Sequence, residues 1–108
     1  MKTLAQFEII EIFSTNTEIV LAGKLISGGP ISNDHDILEK NSTISFHYNE
    51  KEISKKIIRL DRGFGRVGQE VVVEKNENMT LLIERDNETE ALIGVKLTAP
   101  VIGTIVAK

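Results

Sequence analysis

The chain has no cysteine, no run of about twenty apolar residues and few aromatic side chains: four phenylalanines and one tyrosine in 108 residues. Without cysteine there is no disulfide framework, no thiolate zinc site and no cysteine nucleophile. A bilayer-spanning helix needs about 20 consecutive apolar residues, so none is expected. The opening "MKTLAQFEIIEIF" carries one lysine, and Glu8 and Glu11 interrupt its apolar run. That excludes a signal peptide of the usual form, and the expectation is a cytoplasmic chain without membrane contact. The Asn-x-Thr triplets at Asn41, Asn78 and Asn87 then count as turn chemistry rather than glycan acceptors. Nor is there a Gly-x-x-x-x-Gly-Lys-[Ser/Thr] phosphate loop, or a dozen-residue stretch of amphipathic helix.

What is present is a period of two. "TISFHYN" sets Ile44, Phe46 and Tyr48 against Ser45, His47 and Asn49, a strand with one buried face and His47 toward solvent. "ALIGVKL" repeats the pattern with Ile93, Val95 and Leu97. "QFEIIEIF" starts with Phe7 and Ile9 on one face and slips to Ile10 and Ile12, which fits a β-bulge or a strand buried on both sides. "EIVLAGKLIS", "EISKKIIRL", "EVVVE", "TLLIE" and "VIGTIVA" complete about eight short strands. Clusters of Asn, Asp, Gly, Ser and Pro separate them, and "HDILEKN" allows one helical turn. Strands at this spacing predict an all-β fold, a small antiparallel barrel or a sandwich, in one domain over residues 1–108, with residues 86–108 as an additional hairpin.

Gly63-x-Gly65-x-x-Gly68 has the spacing of a dinucleotide fingerprint. That motif needs a strand before it and a helix after it, because the pyrophosphate rests on the helix N-terminus. Here Val71-Val72-Val73 follows, and three β-branched residues in a row favour a strand. The glycines are therefore expected to supply a turn, and no nucleotide is expected.

With the strands placed, "VLAGKLISGGPISNDHDIL" resembles the second-domain β-barrel of translational GTPases, the barrel of elongation factor Tu and its relatives. Gly23-Lys24-Leu25-Ile26-Ser27-Gly28 matches that family's Gly-[Arg/Lys]-[Val/Ile]-x-[Ser/Arg]-Gly, and Ile31 supplies the following apolar residue after a one-residue insertion. "FEIIEIFSTNTEIVLAG" resembles the family's first strand, and "KKIIRL" with "GRVGQEVVVE" a later strand and turn. Gly68-Gln69 stands where the family often has Gly-Asp. The resemblance is strongest over residues 5–85. It implies structural turn roles for Gly23, Gly28, Gly63, Gly65 and Gly68. It also implies a stand-alone docking module without the GTPase domain, whose family counterparts touch ribosomal RNA and neighbouring domains. The Gly-Asp turn is replaced here by Asn33-Asp34 or Asp34-His35, and no binding residue carries over.

The charge is uneven. Residues 51–66 hold six cations against two acids, a net of +4 in a chain of net −3, and residues 74–90 hold six acids against two cations. This asymmetry makes Lys51, Lys55, Lys56, Arg59, Arg62 and Arg66 the candidate contacts for an anionic partner, with Phe64 the one aromatic placed to stack a base. Alternation puts Lys55 and Ile57 on one face and Lys56, Ile58 and Leu60 on the other. Asp34-His35-Asp36 is the densest group of ligating side chains, but a metal needs three or four that converge. Serine with only His35 and His47 falls short of a triad. The expected function is a non-enzymatic adaptor without cofactor or metal, binding a protein or RNA partner. The alternative is a protein-only module that self-associates through a barrel face, a homo-oligomer unrelated to translation.

Overall fold

The alternating segments pair into one closed sheet. The computed structural model describes residues 2–62 and 70–108. Its strands are β1 (Lys2–Ser14), β2 (Glu18–Gly28), β3 (Ile31–Ser32), β4 (Thr43–Tyr48), β5 (Lys51–Asp61), β6 (Val72–Val73), β7 (Asn78–Glu84) and β8 (Val101–Ala107). A π-type helical turn spans Asn33–Leu38 and a 3-10 turn Glu90–Leu92. Six strands close a barrel in the order β1-β2-β7-β5-β4-β8, and β3 pairs with β6 in a separate ribbon. Every pair is antiparallel. The fold is a small all-β barrel.

Alternation fills the interior. Phe7, Ile9, Leu21, Ile44, Ile53, Ile57, Leu81, Ile83 and Ile105 are buried in one cluster from all six staves. Each such side chain contributes about 1.5–3 kcal/mol on leaving water. Three strands are longer than the short ones expected: β1 has 13 residues, β2 and β5 have 11. Bulges let β1 and β5 continue through a slipped pattern. In β1, Ile9 faces Gly23 and Glu11 faces Ala22, so Ile10 is the extra residue and turns outward at 44% exposure. In β5, Ile57 faces Ile83 and Arg59 faces Leu82. The bulge at Ile58 corrects the expected facing: Leu60 returns to the core beside Ile57, while Ile58 points out.

Two glycines are required by β1 and β2. Gly23 is not a turn residue, as the motif suggested; it stands inside β2 opposite the β1 bulge. A Cβ there would lie 1.7 Å from the Glu8 carbonyl oxygen. Gly28 ends β2 with φ +79° and abuts the Leu4 carbonyl, a backbone conformation glycine adopts without penalty. Gly63, Gly65 and Gly68 lie outside the described residues.

Both barrel ends are covered. At one end the ribbon and helical turn bury Ile31, Ile37 and Val73. Only Val72 and Val73 of "EVVVE" are strand. At the other end the β7–β8 connection folds over, burying Thr89 and Leu92. Residues 91–97 are therefore not a strand. Turn chemistry overrides their alternation: the Glu88 N–H donates to Asp86 Oδ1 and the Asp86 N–H to Thr89 Oγ1, each at 2.9 Å, and Gly94 takes φ +74°. Residues 86–108 form no appended hairpin either, since β8 is a stave between β1 and β4.

The Gly23 contact is backbone against backbone and cannot relax by a rotamer change. Gly23→Ala should cost about 3 kcal/mol or more. Gly94→Ala, with open space around its Cβ, should cost about 1–2 kcal/mol for its positive φ. Urea unfolding of the two variants tests this; equal losses would remove the special role of Gly23.

Candidate functional site

Strand β5 carries most of the candidate cations, and its register sorts them. Lys55 faces Ile44 across β4, on the interior side. Its side chain is only 12% exposed, and its ammonium donates to Asp86 Oδ2 in the cover over that barrel end. This hydrogen bond is the main cause of a raised Lys55 pKa and of an Asp86 pKa held below its ordinary 3.8. Lys55 is thus a structural cation and leaves the candidate surface. Sequence separation hid its partner, 31 residues away.

Lys51, Lys56 and Arg59 are exposed, and among the described residues none has a carboxylate within ion-pair distance. Arg62 is committed to Glu77, with Nη2 2.9 Å from Oε2. Phe64 and Arg66 lie outside the described residues. By the same alternation Lys51 belongs with Ile53, Lys55 and Ile57 and emerges at the start of the strand, so the outer face brings together two of the seven candidates, Lys56 and Arg59.

Sequence reasoning missed the hydroxyls beside them. Thr104, Ser45 and Ser54 stand side by side across β8, β4 and β5, alternate with the buried Ile44, Phe46, Ile53 and Ile105, and so line the outer face. Ser45 Oγ and Ser54 Oγ are 2.9 Å apart. Thr43 faces Lys56. Alternation in "TISFHY" already put Ser45 on the polar face; its neighbours across the sheet needed the topology. Hydroxyls and cations on one face are the side chains that contact phosphate oxygens. Exposed His47 faces Glu52 at the edge of this surface.

Asp34-His35-Asp36 is occupied with local structure. Asp36 accepts from the Ser32 N–H at 2.8 Å and pairs with Lys40 at 3.3 Å. The Ser32 hydroxyl accepts from the His35 N–H at 2.9 Å, capping the helical turn. His35 Nδ1 lies 2.9 Å from Glu39 and Nε2 3.8 Å from Glu70. Its pKa is raised, first by the Glu39 hydrogen bond and then by the Glu70 charge. Among the described residues no group of three ligating side chains is placed to hold a metal.

No family model matches the chain, and neither a curated protein nor a solved structure does.

The Lys55–Asp86 pair sets a pH dependence. Asp86 has a lowered folded pKa, so its contribution is present above the ordinary carboxyl range and lost as pH falls through the folded value. Lys55 has a raised pKa, so its contribution is present below 10.5 and lost as pH climbs past the folded value. Asp86→Asn should destabilise most at neutral pH, with the gap to the parent chain closing in acid. Urea midpoints across pH test this, and a gap independent of pH would sink it. His35 should titrate above 6.5 and return toward it in Glu39→Gln. Its stabilising effect is complete below 6.5 and fades as pH rises through the folded value. Imidazole proton shifts read this directly, and an unmoved midpoint in the variant would remove Glu39 as the cause.

Proposed function

We propose that the chain is a non-enzymatic docking module of the translation-factor second-domain kind, which lays the outer face of β5 and β4 against an RNA backbone. The observation that carries this reading is the unpaired exposure of Lys56 and Arg59 among the described residues, with Lys51 on the same strand. What sets Lys56 and Arg59 apart from the other cations without an ion pair among the described residues is their place on the outer face of β5, with Thr43 opposite Lys56 and the Ser45–Ser54 hydroxyls on the same face. Both cations remain available, next to hydroxyls that also donate to phosphate. The side chains filling the barrel leave its outer surface for recognition. The likeness of "GKLISG" and its flanks to the translation-factor barrel supports an RNA partner over other polyanions.

Two phosphate contacts give modest, salt-sensitive and sequence-tolerant binding. For single strands log K falls with log salt at about −0.7 per contact, so a slope of about −1.4 is expected. Fluorescence anisotropy with a short single-stranded RNA reads both affinity and slope. Lys56→Glu with Arg59→Glu should weaken binding at least tenfold and flatten the slope by roughly one or more. Lys75→Glu, a single reversal at another exposed site, should do much less than Lys56→Glu alone. RNA affinity unchanged by the double reversal, or reduced as much by Lys75→Glu as by Lys56→Glu, would overturn the reading.

A further inference from the structure

Strand β1 is longer than the strand covering one of its flanks. β8 pairs with it from Lys2 to Ile9, whereas β2 pairs with it as far as Ser14. From Ile10 to Ser14 one flank therefore has no backbone partner among the described residues. An open strand flank presents unpaired N–H and C=O groups and accepts another extended strand. The side chains here suit association: Ile10 is 44% exposed and Phe13 53%, with Ile102 of neighbouring β8 at 45%. A groove of about 380 Å³ runs along the flank, with Ile10 to Phe13 on one wall and Val95, Lys96 and Leu97 on the other. Natural edges are guarded by charge, proline, a bulge or a covering loop; here Glu11 is the one charge in the stretch, and residues 95–97 stand across the groove from the strand. Residues 9–14 contain no lysine or proline, and the bulge at Ile10 guards only the start of the stretch.

We propose that this flank pairs with the same flank of a second copy of the chain, forming a two-fold dimer through an antiparallel ladder over residues 11–14. Charge selects that occupant. One wall carries Glu11 and the other Lys96, so a basic or an acidic peptide satisfies one and opposes the other. A second copy brings both, and pairing about a two-fold axis offers each Glu11 a Lys96 on the other copy. The strand is also self-complementary when antiparallel. A ladder centred on Ile12, or between Ile12 and Phe13, places Glu11 opposite Phe13 or Ser14 and keeps the two Glu11 carboxylates from facing each other. β5 lies three strands away around the barrel in either direction, so dimerisation leaves the proposed RNA face open on both copies. The inference does not depend on that function.

Sedimentation velocity over a concentration series up to about 1 mM, the weak end of specific association, tests it. The parent chain should show a monomer–dimer equilibrium. Phe13→Lys, at an exposed position, should keep the urea midpoint and weaken dimerisation at least tenfold. Glu11→Lys should weaken it as well, and adding Lys96→Glu should restore it. A chain that stays monomeric throughout overturns the proposal. So does a dimer indifferent to Phe13→Lys, or a groove filled by added extended peptide while the chain remains monomeric. RNA anisotropy on monomeric Phe13→Lys keeps the two readings separate, since per-chain affinity there should equal that of the parent.

Discussion

The seam made by β8 is the constraint on which the rest of the structure depends. β8 lies between β1 and β4, so the barrel closes only when residues from the two ends of the chain meet. Lys2 faces Ala107, and Phe7 faces Gly103. Without that seam both β1 and β4 would present open edges, and Phe7, Ile44 and Ile105 would lose the neighbours that bury them. Closing such a distant contact costs loop entropy before any burial offsets it, the pattern that makes barrels of non-local contacts slow to fold. Gly103 fits this role, because a Cβ there would lie 2.9 Å from the Ile44 side chain on the adjoining stave. The contact is closer than an ordinary Cβ allows, though the Ile44 side chain can shift where the backbone facing Gly23 cannot.

Closure also explains the bulges. β1 serves two neighbours with different registers and cannot keep a strict period of two against both. It slips between Gln6 and Phe7 and again at Ile10 against β2, and between Thr3 and Ala5 against β8. The second slip is visible in the sequence, because the apolar residues step from Ile9 to Ile12. The slip at Thr3 leaves no mark in hydrophobicity, since it falls among residues near the open end of the strand. The strand "TISFHY" was fully legible because its two faces differ so sharply. "ALIGVKL" alternates equally well and is not a strand. Its pattern was outweighed by the Asp86–Thr89 turn and by Gly94, whose positive φ breaks an extended chain. Period alone does not separate a stave from a cover segment that buries only Leu92.

The surface was less legible than the fold, for an electrostatic reason. A count of charges along residues 51–66 treats each cation as available. Among the described residues the register divides them into a structural lysine tied to Asp86, an arginine tied to Glu77, and exposed cations without such a partner. Alternation does place Lys55 on the face of Ile57, which already hints that it points inward. The acid that makes this tolerable lies in a different connection, and burying an ammonium without a partner would be costly. Lys55 is therefore better understood as a clasp between β5 and the cover over the barrel end than as part of a binding surface. The hydroxyl row of Thr104, Ser45 and Ser54 shows the converse. Its members are unremarkable one by one and become a surface only because β8, β4 and β5 are adjacent.

These facts join the two faces of the barrel. Length beyond β8 leaves one flank of β1 without a backbone partner among the described residues, while exposed Lys56 and Arg59 sit three strands away. A barrel gives no interior room to a ligand once its core is packed, so recognition falls to whatever the staves present outward. Opposite staves can then be used at once without competing for space. Two copies joined through β1 would carry two separate β5 surfaces, and a long RNA reaching both would gain from effective concentration rather than from any new contact. If each β5 surface binds modestly, through about two phosphates, that is the regime in which such linkage would matter most. The sequence places both halves of that arrangement in view, "EIIEIF" and "KKIIRL". Their separation on the barrel follows from strand order, which no local pattern encodes.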